Sequence, residues 1–128
     1  MATLAAKKLA LYLLFADDPV SQRPVAGLSQ VSTVYKGEQR PGDGIGPVWI
    51  TIQTGKATAT EIEFNVRIYG DPRSDPLGVQ DMMDITVQEA WDVLESHSEY
   101  QFPGFEFGSH PDIDLLIASM KVTVGRDF

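Results

Sequence analysis

Apolar residues recur at two different spacings along the chain, and each spacing predicts one type of secondary structure. In segment 61–70 every second residue is apolar, namely Ile62, Phe64, Val66 and Ile68. The intervening positions are mostly charged or polar, so this segment predicts a strand with one face toward the core. Val48, Ile50 and Ile52 alternate in the same way. The two segments predict a long antiparallel hairpin whose tip lies within residues 54–60.

A spacing near 3.6 residues predicts two helices. In the second half of the chain one helical face carries Val79, Met82, Met83, Thr86, Val87, Ala90, Trp91 and Leu94. Asp75 suits the N-cap of this helix and Pro76 its first position. Near the N-terminus, Thr3 suits an N-cap, and the face that follows carries Leu4, Leu11, Tyr12 and Phe15, widened by Leu9 and Leu13.

The remaining segments predict further strands. Residues 31–36 suit a short strand, and segment 99–108 suits another that is broken at Pro103 and Gly104. The closing strand places alternate residues on one face, namely Leu116, Ala118, Met120, Val122 and Val124. Its other face begins with Leu115 and Ile117. Either helices cover both faces at that end, or these two residues meet another subunit.

The predicted fold class follows from the order of these elements, which is α-β-β-β-α-β. A mainly antiparallel sheet with a long β-hairpin, packed by two principal helices, is an α+β arrangement. The 128 residues, of which 43% are hydrophobic, suffice for one domain with a sizeable core. We therefore expect a single domain spanning residues 1–128.

Charge and cysteine content exclude several classes of function. Ten basic and eighteen acidic residues give a net charge of −8, and the largest basic cluster is the pair Lys7 and Lys8. Such a chain lacks the positive patch that grips a nucleic-acid backbone. No cysteine is present, so disulfides, thiolate metal sites and a cysteine nucleophile are excluded. The apolar run 9–16 is far shorter than the roughly 20 residues of a membrane span, and we expect no membrane role.

Three alternating glycines, Gly42, Gly44 and Gly46, resemble a phosphate-binding loop only superficially. They precede a strand, whereas dinucleotide binding requires a glycine-rich turn that follows a strand and opens a helix. The pair Gly55 and Lys56 is followed by Ala57, where a P-loop needs a hydroxyl residue for magnesium. We therefore predict no cofactor.

Candidate catalytic and metal-binding residues are few. His110, Asp112 and Asp114 alternate, so on a strand they would point to one side and could hold a divalent cation. A polar loop entering a strand commonly carries the same residues for turn chemistry, which we favour. No nucleophile elbow is present. The sequence therefore predicts no catalytic residue, no metal and no enzyme.

The order of elements resembles the tail-terminator, or tail-completion, proteins of long-tailed bacteriophages. The resemblance lies in the opening helix, the hairpin segments VWITIQTG and TEIEFNVRIYG, the helix VQDMMDITVQEAWDVLES and the closing strand DLLIASMKVTVGRDF. It covers most of the chain and rests on architecture, size and acidity.

The resemblance implies a structural virion protein, assembled in the host cytoplasm and located in the tail or neck. Such proteins form a homo-oligomeric, commonly hexameric, ring that caps the tail tube, ends its polymerisation and offers a surface for joining the head. The implied partners are the tail tube protein and the head-tail connector protein, and double-stranded DNA passes through without specific binding. A ring needs a lateral interface and two axial faces.

Two sets of candidate site residues follow from reasoning about loops, exposure and charge. The ring or partner interface set is Gly42, Asp43, Gly44, Ile45, Gly46, Trp49, Lys56, Leu115 and Ile117. The acidic set that is suited to a DNA-filled lumen is Glu61, Glu63, Asp81 and Asp84.

Two alternative functions remain open at this point. One is another head-tail connector or neck protein. The other is a small cytosolic adaptor domain that binds a protein through the sheet face of Trp49, Thr51 and Tyr69, or through the aromatic segment 100–107.

Overall fold

A computed structural model describes residues 3–36, 46–73, 76–109 and 115–125. It has two helices and a six-stranded mixed sheet, so the α+β class is as predicted. The elements in chain order are α1 (Leu4–Phe15), β1 (Thr33–Tyr35), β2 (Val48–Ala57), β3 (Glu61–Gly70), α2 (Pro76–Glu95), β4 (Tyr100–Gln101), β5 (Glu106–Ser109) and β6 (Leu116–Gly125). The aromatic segment after α2 thus forms two short strands, β4 and β5, separated by Pro103 and Gly104.

The strands of the sheet follow the order β1-β2-β3-β6-β4, and β5 also pairs with β6. β1 runs parallel to β2, which makes the sheet mixed, and the other pairs are antiparallel. β2 continues to Ala57 and β3 begins at Glu61, so the connection between them, residues 58–60, lies within the segment 54–60 that was predicted to contain the tip. A shift of register between Thr54 and Lys56 marks a β-bulge, with Gly55 as the extra residue.

Helix α1 begins at its predicted cap, where Thr3 Oγ1 accepts a hydrogen bond from the Ala6 amide at 3.0 Å. Leu11, Tyr12 and Phe15 are fully buried. The prediction that Leu9 and Leu13 widen this buried face is wrong, because they remain 38% and 41% exposed. At about 100° per residue, these two leucines lie on the side of the helix away from Leu11 and Phe15.

Helix α2 begins at Pro76, the predicted first position, while its predicted cap Asp75 lies outside the described residues. Its buried side carries Val79, Met83, Thr86, Ala90 and Leu94. Gly70, the last residue of β3, lies directly beneath it: a Cβ there would meet Met83, and it would lie 2.7 Å from Cγ1 of Val79. The absence of a side chain at this position lets the helix approach the sheet closely.

The main hydrophobic core lies between the two helices and one face of the sheet, which we call the front face. Its strand residues are those with the predicted alternation, including Ile50, Ile52, Val66, Ile68 and Val122. Because α1 and α2 both pack here, the opposite face of the sheet, which we call the rear face, has no helix against it among the described residues.

The outer edge of β1 is closed by the segment next to it. The Val34 amide donates to the Gln22 carbonyl at 3.1 Å. The Val34 carbonyl accepts a hydrogen bond from the Tyr12 hydroxyl at 2.7 Å. These bonds satisfy the outward backbone groups of β1, so no further strand can pair at Val34.

Candidate functional site

The rear face carries side chains in cross-strand rows, because residues paired in register lie on the same side of a sheet. One row contains Trp49, Tyr69 and Ile117. The next row contains Thr51, Arg67, Ser119 and Glu106. An aromatic row therefore lies directly beside a polar row, and the two have different surroundings.

The aromatic row is the centre of a small second core. The rings of Trp49 and Tyr69 stack 5.5 Å apart, and Leu115 completes the buried set. Tyr35 and Ile117 pack against it, each partly buried. Burial inside the chain corrects the prediction of a partner-facing Trp49 and Leu115, which are 0% and 2% exposed. Leu115 packs with Trp49 and Tyr69 of its own chain, so it is not exposed to another subunit, and neither described helix lies on this face.

Two polar atoms in this region are buried without a hydrogen bond among the described residues. They are Nε1 of Trp49 and Oγ1 of Thr51. Thr51 is 1% exposed and lies opposite Arg67 in the register of β2 and β3. A buried hydroxyl without a partner costs free energy, and Thr51 is therefore a weak point of the rear face.

The polar row opens onto a cavity of about 240 Å³. Its walls include Asn65, Arg67, Gly104, Glu106, Ser119 and Lys121. The first two come from β3, Ser119 and Lys121 come from β6, and Glu106 comes from β5. Two cations, an amide, a hydroxyl and one carboxylate thus surround a single depression.

The sheet leaves strand edges without a pairing partner on two opposite sides, counting described residues only. β1 pairs with β2 only from Trp49 to Thr51, so the outer edge of β2 is open from Ile52 to Ala57. On the other side, β5 pairs with β6 along one edge and with nothing along the other. β5 is exposed along its length, and Phe107 in it is 57% exposed.

The glycine loop of the predicted interface is described only at its end. Gly42, Asp43, Gly44 and Ile45 lie outside the described residues. Gly46 lies against Ser32, whose Cβ would be 2.6 Å from a Cβ added at Gly46. Lys56 is exposed near the hairpin tip on the open edge of β2, and Ile117 is half-buried.

The four acidic residues predicted for a lumen lie on opposite sides of the molecule. Glu61 and Glu63 are paired with Gly125 and Thr123 of β6, so they lie on the rear face of the sheet. Glu61 is exposed. Asp81 and Asp84 are exposed on the outer side of α2, beyond the front face. The fold does not bring the two pairs together, so they cannot line one surface jointly.

Of the two surfaces predicted for an adaptor, the sheet face is buried, whereas the aromatic segment 100–107 is buried only in part and leaves Phe107 exposed. Trp49, Thr51 and Tyr69 are each at most 2% exposed, which corrects their assignment as a binding face. In the aromatic segment, Phe102 and Phe105 lie against Trp91, with ring centroids 5.2 Å and 6.4 Å from it.

His110, Asp112 and Asp114, the residues considered for a metal, lie outside the described ranges. Within those ranges, no group of three or more histidine, aspartate or glutamate side chains is arranged to hold a metal ion. Neither described helix combines the length and the apolar character that a membrane crossing requires.

The cavity and its cations were missed by reasoning from the sequence. The alternation of apolar and polar residues in β3 places Arg67 on the polar side of the strand. Its neighbours in the cavity depend on the register of β3 with β6 and on the path of β5, neither of which has a local signal. A partial signal for the cavity is that Arg67 and Lys121 both occupy polar positions in strands whose residues alternate between apolar and polar.

The comparisons with known proteins assign this chain to no family. A search against protein-family models and a search of curated proteins each found no match to this chain.

Proposed function

We propose that the chain is a structural virion protein without enzymatic activity, a tail terminator of the long-tailed phage type. In this role identical subunits form a hexameric ring that caps the tail tube and ends its polymerisation. The ring also provides the surface for joining the head. The partners are the tail tube protein and the head-tail connector protein, and the ring is located at the tail or neck of the virion.

The observation that carries the proposal is the pair of open strand edges. They lie on opposite sides of one sheet, at β2 beyond Thr51 and at β5. A contact between the β2 edge of one subunit and the β5 edge of the next is heterologous, and such contacts generate rings when the rotation closes. Backbone hydrogen bonds across this contact satisfy groups that an isolated subunit leaves to water.

The hairpin end supplies one axial surface in this arrangement. The turn 58–60 is exposed, as are Lys56 and Ala57 before it. Thr58 holds the turn, since its amide donates to the Glu61 carbonyl at 2.8 Å. A well-defined, projecting turn is suited to contact a flat partner such as the end of a tube.

The net charge of −8 suits a ring through which DNA passes, because negative walls lower the affinity for phosphate. Only one of the two acidic pairs lines such a lumen, since they lie on opposite sides of the sheet.

The lumen-facing pair is identified by comparing the variants Glu61→Lys/Glu63→Lys and Asp81→Lys/Asp84→Lys. DNA retention should rise in assembled rings of one variant only, and a rise in both or in neither would count against a lumen built from either pair.

The proposal is tested by measuring the mass of the purified protein in solution, alone and with tail tube protein, and by imaging tube ends. We expect a ring, either free or formed on the tube end, and shorter tubes when the protein is added during polymerisation. Phe107→Asp places a charge on β5, and we expect it to weaken ring formation about tenfold or more.

Val20→Asp is the matched control, because Val20 is 89% exposed and lies in a loop that belongs to neither open edge. Ring formation should be unchanged in this variant. A protein that stays monomeric with and without tube protein would exclude the terminator role. A ring that binds the connector and never the tube end would instead identify a neck protein.

A further inference from the structure

We propose that the cavity on the rear face, walled by Arg67, Lys121 and Glu106, is a binding site for a carboxylate group. The site is distinct from the strand edges and the hairpin end that carry the ring proposal. It also does not require that proposal, because each subunit contains every residue of the cavity.

Strand register builds the site from two adjacent strands. Arg67 pairs with Ser119, and Asn65 pairs with Lys121, so the four side chains form a compact square on one face. Neighbours across strands lie roughly 5 Å apart, and diagonal neighbours remain within reach of long side chains. The guanidinium and the ammonium can therefore converge on one anionic group, with the amide and hydroxyl as additional donors.

The cations of the site have unused binding capacity. Arg67 is only partly exposed, and its Nη1 donates to Gln53 Oε1 at the long distance of 3.5 Å. No carboxylate among the described residues forms an ion pair with Arg67 or Lys121. Arg73 differs, because it binds Asp71 through both oxygens. A partly buried guanidinium gains most from a carboxylate, which it binds in a two-pronged geometry.

The outer wall is held in place before any ligand binds. It is formed by Pro103 and Gly104, which connect β4 to β5. Gly104 has φ of +137°, and a Cβ there would lie 3.4 Å from the Trp91 ring. The flanking Phe102 and Phe105 also pack on Trp91. This anchoring fixes the wall, and preformed sites lose less entropy on binding.

Size and charge select the ligand. At about 240 Å³ the cavity is smaller than the 300–1,000 Å³ typical of sites for drug-sized molecules, so it suits a small group and not a nucleotide. Glu106 on the wall repels a doubly charged phosphate group more strongly than a singly charged carboxylate group, and a dicarboxylate such as succinate can keep its second carboxylate in solvent, away from Glu106. A carboxylate can bind Arg67 and Lys121 while staying on the far side of Ser119 from Glu106.

A carboxylate can come from a free small molecule or from an acidic side chain of a second copy of this chain. The experiment separates the two sources by titrating succinate into isotope-labelled protein and recording backbone amide shifts. Sedimentation of the same protein without succinate measures self-association.

Arg67→Gln removes the main cation, and Lys121→Gln, at an exposed position, serves as the second variant should Arg67→Gln fold poorly. Arg23→Gln, exposed and outside the cavity, is the control.

If succinate shifts the amides of the cavity strands, and Arg67→Gln or Lys121→Gln weakens its binding about tenfold while Arg23→Gln does not, the site takes a free carboxylate. If succinate has no effect, and self-association is weakened by Arg67→Gln or Lys121→Gln but not by Arg23→Gln, the carboxylate comes from a second copy of the chain. If neither titration nor sedimentation responds to the cavity variants, the proposal is overturned. Failure of the ring proposal leaves the succinate result interpretable, since that result concerns the single subunit.

Discussion

Trp49 and Tyr69 stack face to face across neighbouring strands, with ring planes inclined by 8° and centroids 5.5 Å apart. Both residues belong to the rear face, away from the helices, and both are at most 2% exposed. The sheet is therefore buried on both faces at this end. Stacked aromatic pairs of this kind contribute about 0.5–1.5 kcal/mol beyond the area that they bury.

The Thr51 hydroxyl is buried beside this cluster and has no hydrogen-bond partner among the described residues. Thr51→Val replaces it with a methyl group and should raise the free energy of unfolding by about 1 kcal/mol. Chemical denaturation measures the change. Thr123→Val, at a half-buried position of β6, is the control and should shift stability by less than about 0.5 kcal/mol. Destabilisation of Thr51→Val by 1 kcal/mol or more would mean that the hydroxyl is bonded in solution.

Gly70 allows the close contact between β3 and α2. Gly70→Ala should destabilise the fold by about 1–3 kcal/mol, because the added methyl group collides with Val79 and Met83. Thermal and denaturant unfolding both measure this loss. Gly27→Ala provides the matched control, since no described atom would lie within 4 Å of its Cβ. Equal stabilities for the two variants would show that α2 moves away at little cost.

The hydroxyl of Tyr12 joins α1 to the edge of the sheet through the Val34 carbonyl. Burial, with a smaller effect from Asp18, raises the pKa of Tyr12, so the hydroxyl keeps its proton at neutral pH and donates. Tyr12→Phe should cost about 1–2 kcal/mol of stability, because it leaves a buried carbonyl without its donor. Tyr35→Phe, at a half-buried position of β1, should cost markedly less in the same denaturation assay. A Tyr12→Phe variant as stable as the parent would contradict this role.

Asp71 and Arg73 form an ion pair, with Arg73 Nη2 2.6 Å from Asp71 Oδ2. The hydrogen bonds from Arg73 hold the pKa of Asp71 below its ordinary value. A depressed pKa stabilises the fold above the unfolded-state pKa of about 4, and this contribution disappears as the pH falls through the folded-state pKa. Asp71→Asn should therefore cost stability at pH 7, and the cost should shrink in acid.

The size of this effect is limited by exposure, because the Arg73 side chain is 61% exposed. We expect about 0.2–1 kcal/mol at pH 7 and less in high salt, which screens the pair. Urea denaturation of the parent and Asp71→Asn across acidic and neutral pH gives the difference directly. A difference that stays constant down to the lowest pH would show that the charge of Asp71 does not stabilise the fold.

Local patterns in the sequence determined the two helices and the front face of the sheet. Thr3 is recognisable as a cap because its hydroxyl bonds a backbone amide three residues later, and Pro76 suits a first helical position. The alternation in β3 set which residues face the helices, since successive side chains point to opposite sides of a strand. These interactions involve near neighbours, so a single segment contains the whole signal.

Only the tertiary structure decided what lies on the rear face and at the strand edges. Trp49 meets Tyr69, and Arg67 meets Ser119, through pairing between strands that are distant in sequence. Alternation assigns a residue to a face, but it does not say whether a second layer covers that face. The burial of Leu115 and the cavity beside Arg67 depend on register and chain path, which long-range packing selects.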